Sequence, residues 1–181
     1  AQHMARDGHD ALVVRLIGRE SSLPVVLAKS QEKLRADTVY VLPSGMDGTV
    51  EGDRIVLREP GATNISTPSV NTLFESIAAS RKANGIGIVL SGTGYDGVAG
   101  CRALKAQGAL TIAQEPAEAK FDGMPTAAIE AGLIDEVITV DAMGTRLAER
   151  FSGPTAVPVA KRAGVAVPPA PALCVPPGTF P

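Results

Sequence analysis

The stretch Gly85-Ile86-Gly87-Ile88-Val89-Leu90-Ser91-Gly92-Thr93-Gly94-Tyr95-Asp96-Gly97-Val98-Ala99-Gly100 decides how the chain is read. Its first part is an apolar, β-branched run between glycines, which predicts a buried strand. A glycine-rich turn follows, and then a helix carrying Val98, Cys101 and Leu104. Asp96 stands where turn becomes helix. In open α/β sheets, ligands bind at the carboxyl ends of the strands. Chain logic therefore puts Asp96 at the rim where chemistry would occur.

Three readings of this turn are open. Gly92, Gly94 and Gly97 satisfy G-x-G-x-x-G, the dinucleotide fingerprint, and Glu115 supplies the acidic residue expected about 20 positions on. Charge argues against it, because the Asp96 carboxylate lies where a pyrophosphate would approach the helix amino end. A second reading makes Asp96 a helix cap. A third makes it the carboxylate that orients a catalytic histidine.

Working outward, strands alternate with helices. Upstream, Asp10 is placed to cap a helix with Leu12, Val13, Leu16 and Ile17 on one face. Residues 24–28 form a short strand, and 29–37 a charged connection. Residues 39–42 form a better strand. Asp47-Gly48 is a hairpin-type turn signal, and Gly52-Asp53 is a second turn. Residues 58–66 are loop. Thr67-Pro68 predicts a helix start, with Thr67 as N-cap. Val70, Leu73, Phe74, Ile77 and Ala78 then make a core-facing stripe. Downstream lie a strand at 109–114, a helix from Met124-Pro125 to Gly132, a strand at 137–140, and a helix that Asp141 caps. The expected fold is α/β: a doubly wound, mostly parallel, Rossmann-like sheet in three layers, with a small β excursion near 39–57.

The 181 residues suit one domain plus an extension. The composition shifts to Pro, Ala, Val and Gly at 152–181, which predicts a linker or tail after a domain at 1–151. Hydrophobic residues make up 45%, enough for a core, and aromatics only 3%. A net charge of −2 advertises neither a nucleic-acid nor a membrane surface. No apolar run is long enough to span a bilayer, and no signal peptide opens the sequence. The two cysteines, Cys101 and Cys174, form no framework, which fits a cytoplasmic, reduced protein. Two histidines without a Cys/His cluster give no metal site. Residue 1 is Ala, so the opening Gln2-His3-Met4 reads as a vector scar or as a domain cut in its middle.

His3 and Asp96 together would be two-thirds of a nucleophilic triad. A lone terminal histidine is ordinarily a solvated residue, so the pair needs further support. That support is a series of stretches: Gln2-His3-Met4; Val39-Tyr40-Val41-Leu42-Pro43; Ser69-Val70-Asn71-Thr72-Leu73-Phe74-Glu75-Ser76; Gly87 to Gly97; Thr111-Ile112-Ala113-Gln114; and Gly123-Met124-Pro125. In this order and spacing, residues 1 to about 150 resemble the catalytic domain of the bacterial chemotaxis protein-glutamate methylesterases, the CheB type.

The resemblance implies a Ser-His-Asp hydrolase without a cofactor. Such enzymes remove methyl groups from glutamate methyl esters on the cytoplasmic helices of methyl-accepting chemoreceptors. Many also deamidate receptor glutamines. His3 matches the family's catalytic histidine and Asp96 its catalytic aspartate. Thr93, Gly94 and Met124 fall in the substrate-binding or oxyanion region. A phosphorylatable receiver domain often precedes the esterase domain, and no stretch of these 181 residues reads as one.

The departures carry weight. The family nucleophile stands in a G-x-S-x-G-G turn ahead of the histidine, so the serine is expected upstream of Ala1, and this fragment alone is expected to be inactive. Methionine is usual where Thr93 stands, and a histidine is common at Asp47. Ser44 and Ser91 lie outside the strained elbow that presents an oxyanion hole, and read as turn serines. Two alternatives stay open: a non-catalytic binding or scaffold domain of the same fold, and the dinucleotide binder.

Overall fold

The computed structural model describes residues 9–60 and 67–151. Their order starts with helix α1 (Asp10–Glu20) and strands β1 (Val25–Leu27), β2 (Glu32–Lys33), β3 (Val39–Val41), β4 (Asp47–Glu51) and β5 (Arg54–Arg58). Helix α2 (Val70–Arg81), β6 (Ile86–Val89), α3 (Val98–Ala106), β7 (Leu110–Gln114), α4 (Gly123–Glu130), β8 (Glu136–Ile138) and α5 (Val140–Phe151) follow. Residues 152–181, expected to be a linker or tail, lie outside the described residues.

The α/β, Rossmann-like expectation holds. β6, β7 and β8 form a parallel sheet in that order, with Ile88 opposite Ile112 and Ala113 opposite Val137. Within this sheet each parallel pair is joined through a helix, the usual crossover. β1 and β3 form a second parallel pair, Val26 opposite Tyr40. Among the described residues no ladder joins these two pieces.

The β excursion differs from its expected bounds. β3 belongs to the parallel pair, and β2, expected as a connection, joins the antiparallel order β2-β5-β4. Asp47-Gly48 is not a turn but the start of β4. The hairpin turns at Gly52-Asp53, where Gly52 takes φ +59°. Asp47 is buried, and its carboxylate accepts the Ser69 amide at 2.8 Å. That tertiary bond outweighs its local turn preference.

Helix starts are also displaced. Thr67 does not cap α2. Ser69 does, its Oγ accepting the Thr72 amide at 3.2 Å, while the buried Thr67 Oγ1 has no hydrogen-bond partner among the described residues. Asp10 does not cap α1 either: its carboxylate accepts the Ser44 amide at 3.1 and 3.2 Å. Asp141 lies inside the first turn of α5 rather than before it. On the apolar face of α1, Val13 is half-buried while Leu12, Leu16 and Ile17 are exposed, Leu16 being 50% accessible. The α2 stripe is buried as expected at Val70, Phe74 and Ala78.

The core joins α2, α3 and α4 to β6 through Phe74, Ala78, Val89, Cys101, Leu104, Met124 and Ala128. Gly87 lets the helices close on the strand. A Cβ there would overlap Leu104 and lie 3.1 Å from the Phe74 ring. Cys101 is fully buried, and that burial pushes its thiol up to about 11. A thiol so placed is protonated and shielded. With Cys174 replaced by Ser, native protein is therefore expected to resist a thiol-exchange reagent near pH 8 and to react once unfolded. Rapid modification of the native state would contradict this packing.

Below β7, the Thr111 amide donates to Asp135 Oδ2 at 2.9 Å and Lys105 Nζ donates to Oδ1 at 2.7 Å. Partial burial raises the Asp135 carboxyl, but these bonds and the Thr111 hydroxyl outweigh it and hold it below the usual carboxylate range. A lowered folded-state value means that the carboxylate's stabilisation is complete above the unfolded value, about 4, and is lost as pH falls through the folded one. The stability gap between the native protein and Asp135→Asn should thus be constant near neutrality and shrink below about pH 4. Chemical denaturation across pH checks this, and a gap that widens in acid would contradict it.

Candidate active site

The site is built where β6 ends. The strand delivers the chain to its carboxyl rim, and Thr93, Gly94 and Tyr95 form an exposed turn, Tyr95 being 67% accessible. Gly94 (φ +84°) and Gly97 (φ +108°) occupy the left-handed region that suits glycine.

The turn is fastened from below. The Gly92 amide donates to the Phe121 carbonyl at 2.8 Å, and the Met124 amide donates to the Gly92 carbonyl at 2.9 Å. Ser91 is a structural serine, as expected. Its amide donates to Gln114 Oε1 at 2.7 Å, and its Oγ accepts the Phe121 amide at 3.0 Å. Met124 is 1% accessible, and a Cβ at Gly92 would overlap its sulfur. Its side chain therefore supports the turn from beneath.

Asp96 does not cap the helix it precedes. α3 is entered through Gly97 with no side-chain cap. The Asp96 carboxylate reaches across to α2 instead. Oδ2 accepts the Val70 amide at 2.8 Å, and Oδ1 accepts the Asn71 amide at 3.0 Å. These donors lie at the positive end of a three-turn helix, a favourable environment for a carboxylate. Asp96 is thus held at the sheet's rim by the backbone amides of α2.

The amides of α3 argue against the dinucleotide reading. Gly97 and Gly100 donate to Asn71 Oδ1 at 3.0 and 2.9 Å, and Val98 donates to the Tyr95 carbonyl at 3.3 Å. A pyrophosphate would have to displace these bonds and face Asp96 as well. Among the described residues no three His, Cys, Asp or Glu side chains are grouped to hold a metal ion. No helix there is long and apolar enough to cross a membrane. His3 lies outside the described residues, so its placement against Asp96 rests on sequence. The sequence reading gave no role to Asn71. A first-turn asparagine looks like a solvated polar residue, and its partners are 25 to 29 positions away.

Parallel strands joined through crossover helices define a Rossmann-like α/β domain, with an acid fixed at the carboxyl end of β6. Residues 1–147 match the model of one family, the CheB methylesterase. The chain belongs to that family. It is 34% identical over 151 residues to protein-glutamate methylesterase/protein-glutamine glutaminase 2 of Nitratidesulfovibrio vulgaris, covering 81% of this chain and 41% of that protein. It is 37% identical over 134 residues to an uncharacterized 104.1 kDa protein of Rhodobacter capsulatus, covering 74% of this chain and 14% of that one. The chain thus spans less than half the length of these relatives. The crystal structure of the Thermotoga maritima CheB methylesterase catalytic domain superposes with a TM-score of 0.76 at 25% identity, covering 83% of this chain and 81% of that one.

Proposed function

We propose that residues 1–151 are the larger part of a protein-glutamate methylesterase domain whose nucleophilic serine is encoded upstream, with 152–181 as a linker or tail. The substrates are glutamate methyl esters, and glutamine amides, on the cytoplasmic helices of chemoreceptors. The observation that carries this reading is the Asp96 carboxylate, fixed after β6 by the Val70 and Asn71 amides.

The steps balance as an ordinary acyl transfer. The serine Oγ attacks the ester carbonyl while His3 takes its proton. Asp96 holds the imidazole in one tautomer and stabilises its cation. The acyl–oxygen bond breaks, and His3 returns the proton to the leaving methanol. Water then opens the acyl-serine, releasing the glutamate carboxylate. Backbone amides would stabilise the tetrahedral oxyanion, and the exposed turn at Thr93 and Gly94 offers two of them.

The test is methanol release from a helical peptide bearing a γ-methyl-glutamyl residue. The longer in-frame product of the source gene should hydrolyse it, and residues 1–181 alone should not. Hydrolysis by the 181-residue chain would move the nucleophile inside it. Binding of the peptide by the longer product without turnover would favour a non-catalytic docking domain instead.

A further inference from the structure

Two helix amino ends lock each other at Asp96. Asn71, in the first turn of α2, gives its backbone N–H to Asp96 Oδ1 at 3.0 Å. Its side-chain Oδ1 accepts the Gly97 amide at 3.0 Å, the peptide directly after Asp96, and the Gly100 amide at 2.9 Å. The result is a closed ring: the Asn71 main chain holds the Asp96 side chain, and the Asn71 side chain holds the peptide that follows Asp96. A capping box has the same reciprocity within one helix; here it spans two. Both side-chain partners are N–H donors, so only the amide oxygen can face them, and both its lone pairs are used.

The packing beneath permits this. A Cβ at Gly100 would lie 2.5 Å from Phe74 Cβ and 3.2 Å from Asn71 Cα, so the helices approach as closely as glycine allows. Replacing the asparagine side chain would free the peptide at 96–97 to rotate, and the carboxylate would turn with it.

We infer that Asn71 is a positioning residue: the α2–α3 cross-cap it makes sets the direction in which Asp96 presents its carboxylate to the catalytic imidazole. This rests on the reading of Asp96 as the orienting acid. It assigns Asn71 no contact with substrate.

The experiment uses the longer in-frame product and methanol release from the γ-methyl-glutamyl peptide, with kcat, KM and the pH profile of each variant. Asn71→Ala is expected to lower kcat about 10- to 100-fold, the usual cost of a small misplacement, with little change in KM. Asn71→Asp keeps an acceptor oxygen for both amides and should recover most of kcat. Its added negative charge stabilises the imidazolium, so the acid limb of its profile should move to higher pH. Thermal melting checks that each variant folds. If Asn71→Ala does not fold, the profile of Asn71→Asp decides: a shifted limb supports the cross-cap role and an unchanged limb overturns it. An Asn71→Ala enzyme with native kcat, alongside a collapsed Asp96→Asn enzyme, overturns the inference alone. A fully active Asp96→Asn enzyme overturns the triad reading beneath it.

Discussion

Asp96→Asn in the longer in-frame product is expected to lower methanol release by about 10³- to 10⁴-fold, the loss seen when the orienting acid of a triad becomes neutral. The substitution is nearly isosteric, so the rim should keep its shape. What changes is chemistry. An aspartate accepts at both oxygens, and here takes the Val70 and Asn71 amides. An asparagine can accept at only one, and turns an NH2 group toward the other donor or toward the imidazole. Either choice breaks the arrangement. The lost charge-assisted bond at the α2 amino end should also cost about 1–2 kcal/mol of stability, in the range of a deleted cap. The two effects separate in the assay: a destabilised but folded enzyme keeps its kcat per folded molecule, whereas loss of the orienting acid does not.

Phe74→Ala should have the largest effect on stability, about 3–5 kcal/mol, because a buried phenylalanine leaves a cavity that its neighbours fill only in part. Phe74 is buried among α2, α3 and β6. Its ring covers Gly87 and its Cβ meets the site of a Gly100 side chain. Neither glycine has side-chain atoms to move into the gap. The cavity would loosen the α2–α3 approach at Gly100, which Asn71 also borders, so turnover should fall as well, though less than for Asp96→Asn. Denaturant unfolding measures the first effect. A loss below about 1 kcal/mol would mean that the α2–α3 interface relaxes freely, contrary to the close approach at Gly100.

The parts of the fold legible in the sequence were those with strong local signals. The β6 run is β-branched and bounded by glycines, and the α2 stripe has clean helical spacing, so both were placed. The same reasoning failed where a side chain serves a distant partner. Asp47-Gly48 carries a hairpin signal, but the Asp47 carboxylate is committed to the Ser69 amide. Asp10 looks like a cap, but it holds Ser44. Apolar spacing on α1 was correctly helical, yet periodicity does not say what covers the face. At the site, the position of Asp96 could be read from the strand–turn–helix pattern and the family motif. Its hydrogen bonds to the Val70 and Asn71 amides could not, because spacing along the chain says nothing about which helix end a carboxylate reaches.

The central claim, that Asp96 and His3 act as one unit, is tested most directly by methanol release from the longer product carrying His3→Gln, Asp96→Asn, or both. Members of a triad are strongly non-additive, one loss disabling the rest. The double variant is expected to be about as slow as the slower single variant. Losses that multiply, or an Asp96→Asn enzyme as fast as its parent, would show that the two residues work independently and that the rim of β6 is not the seat of the reaction.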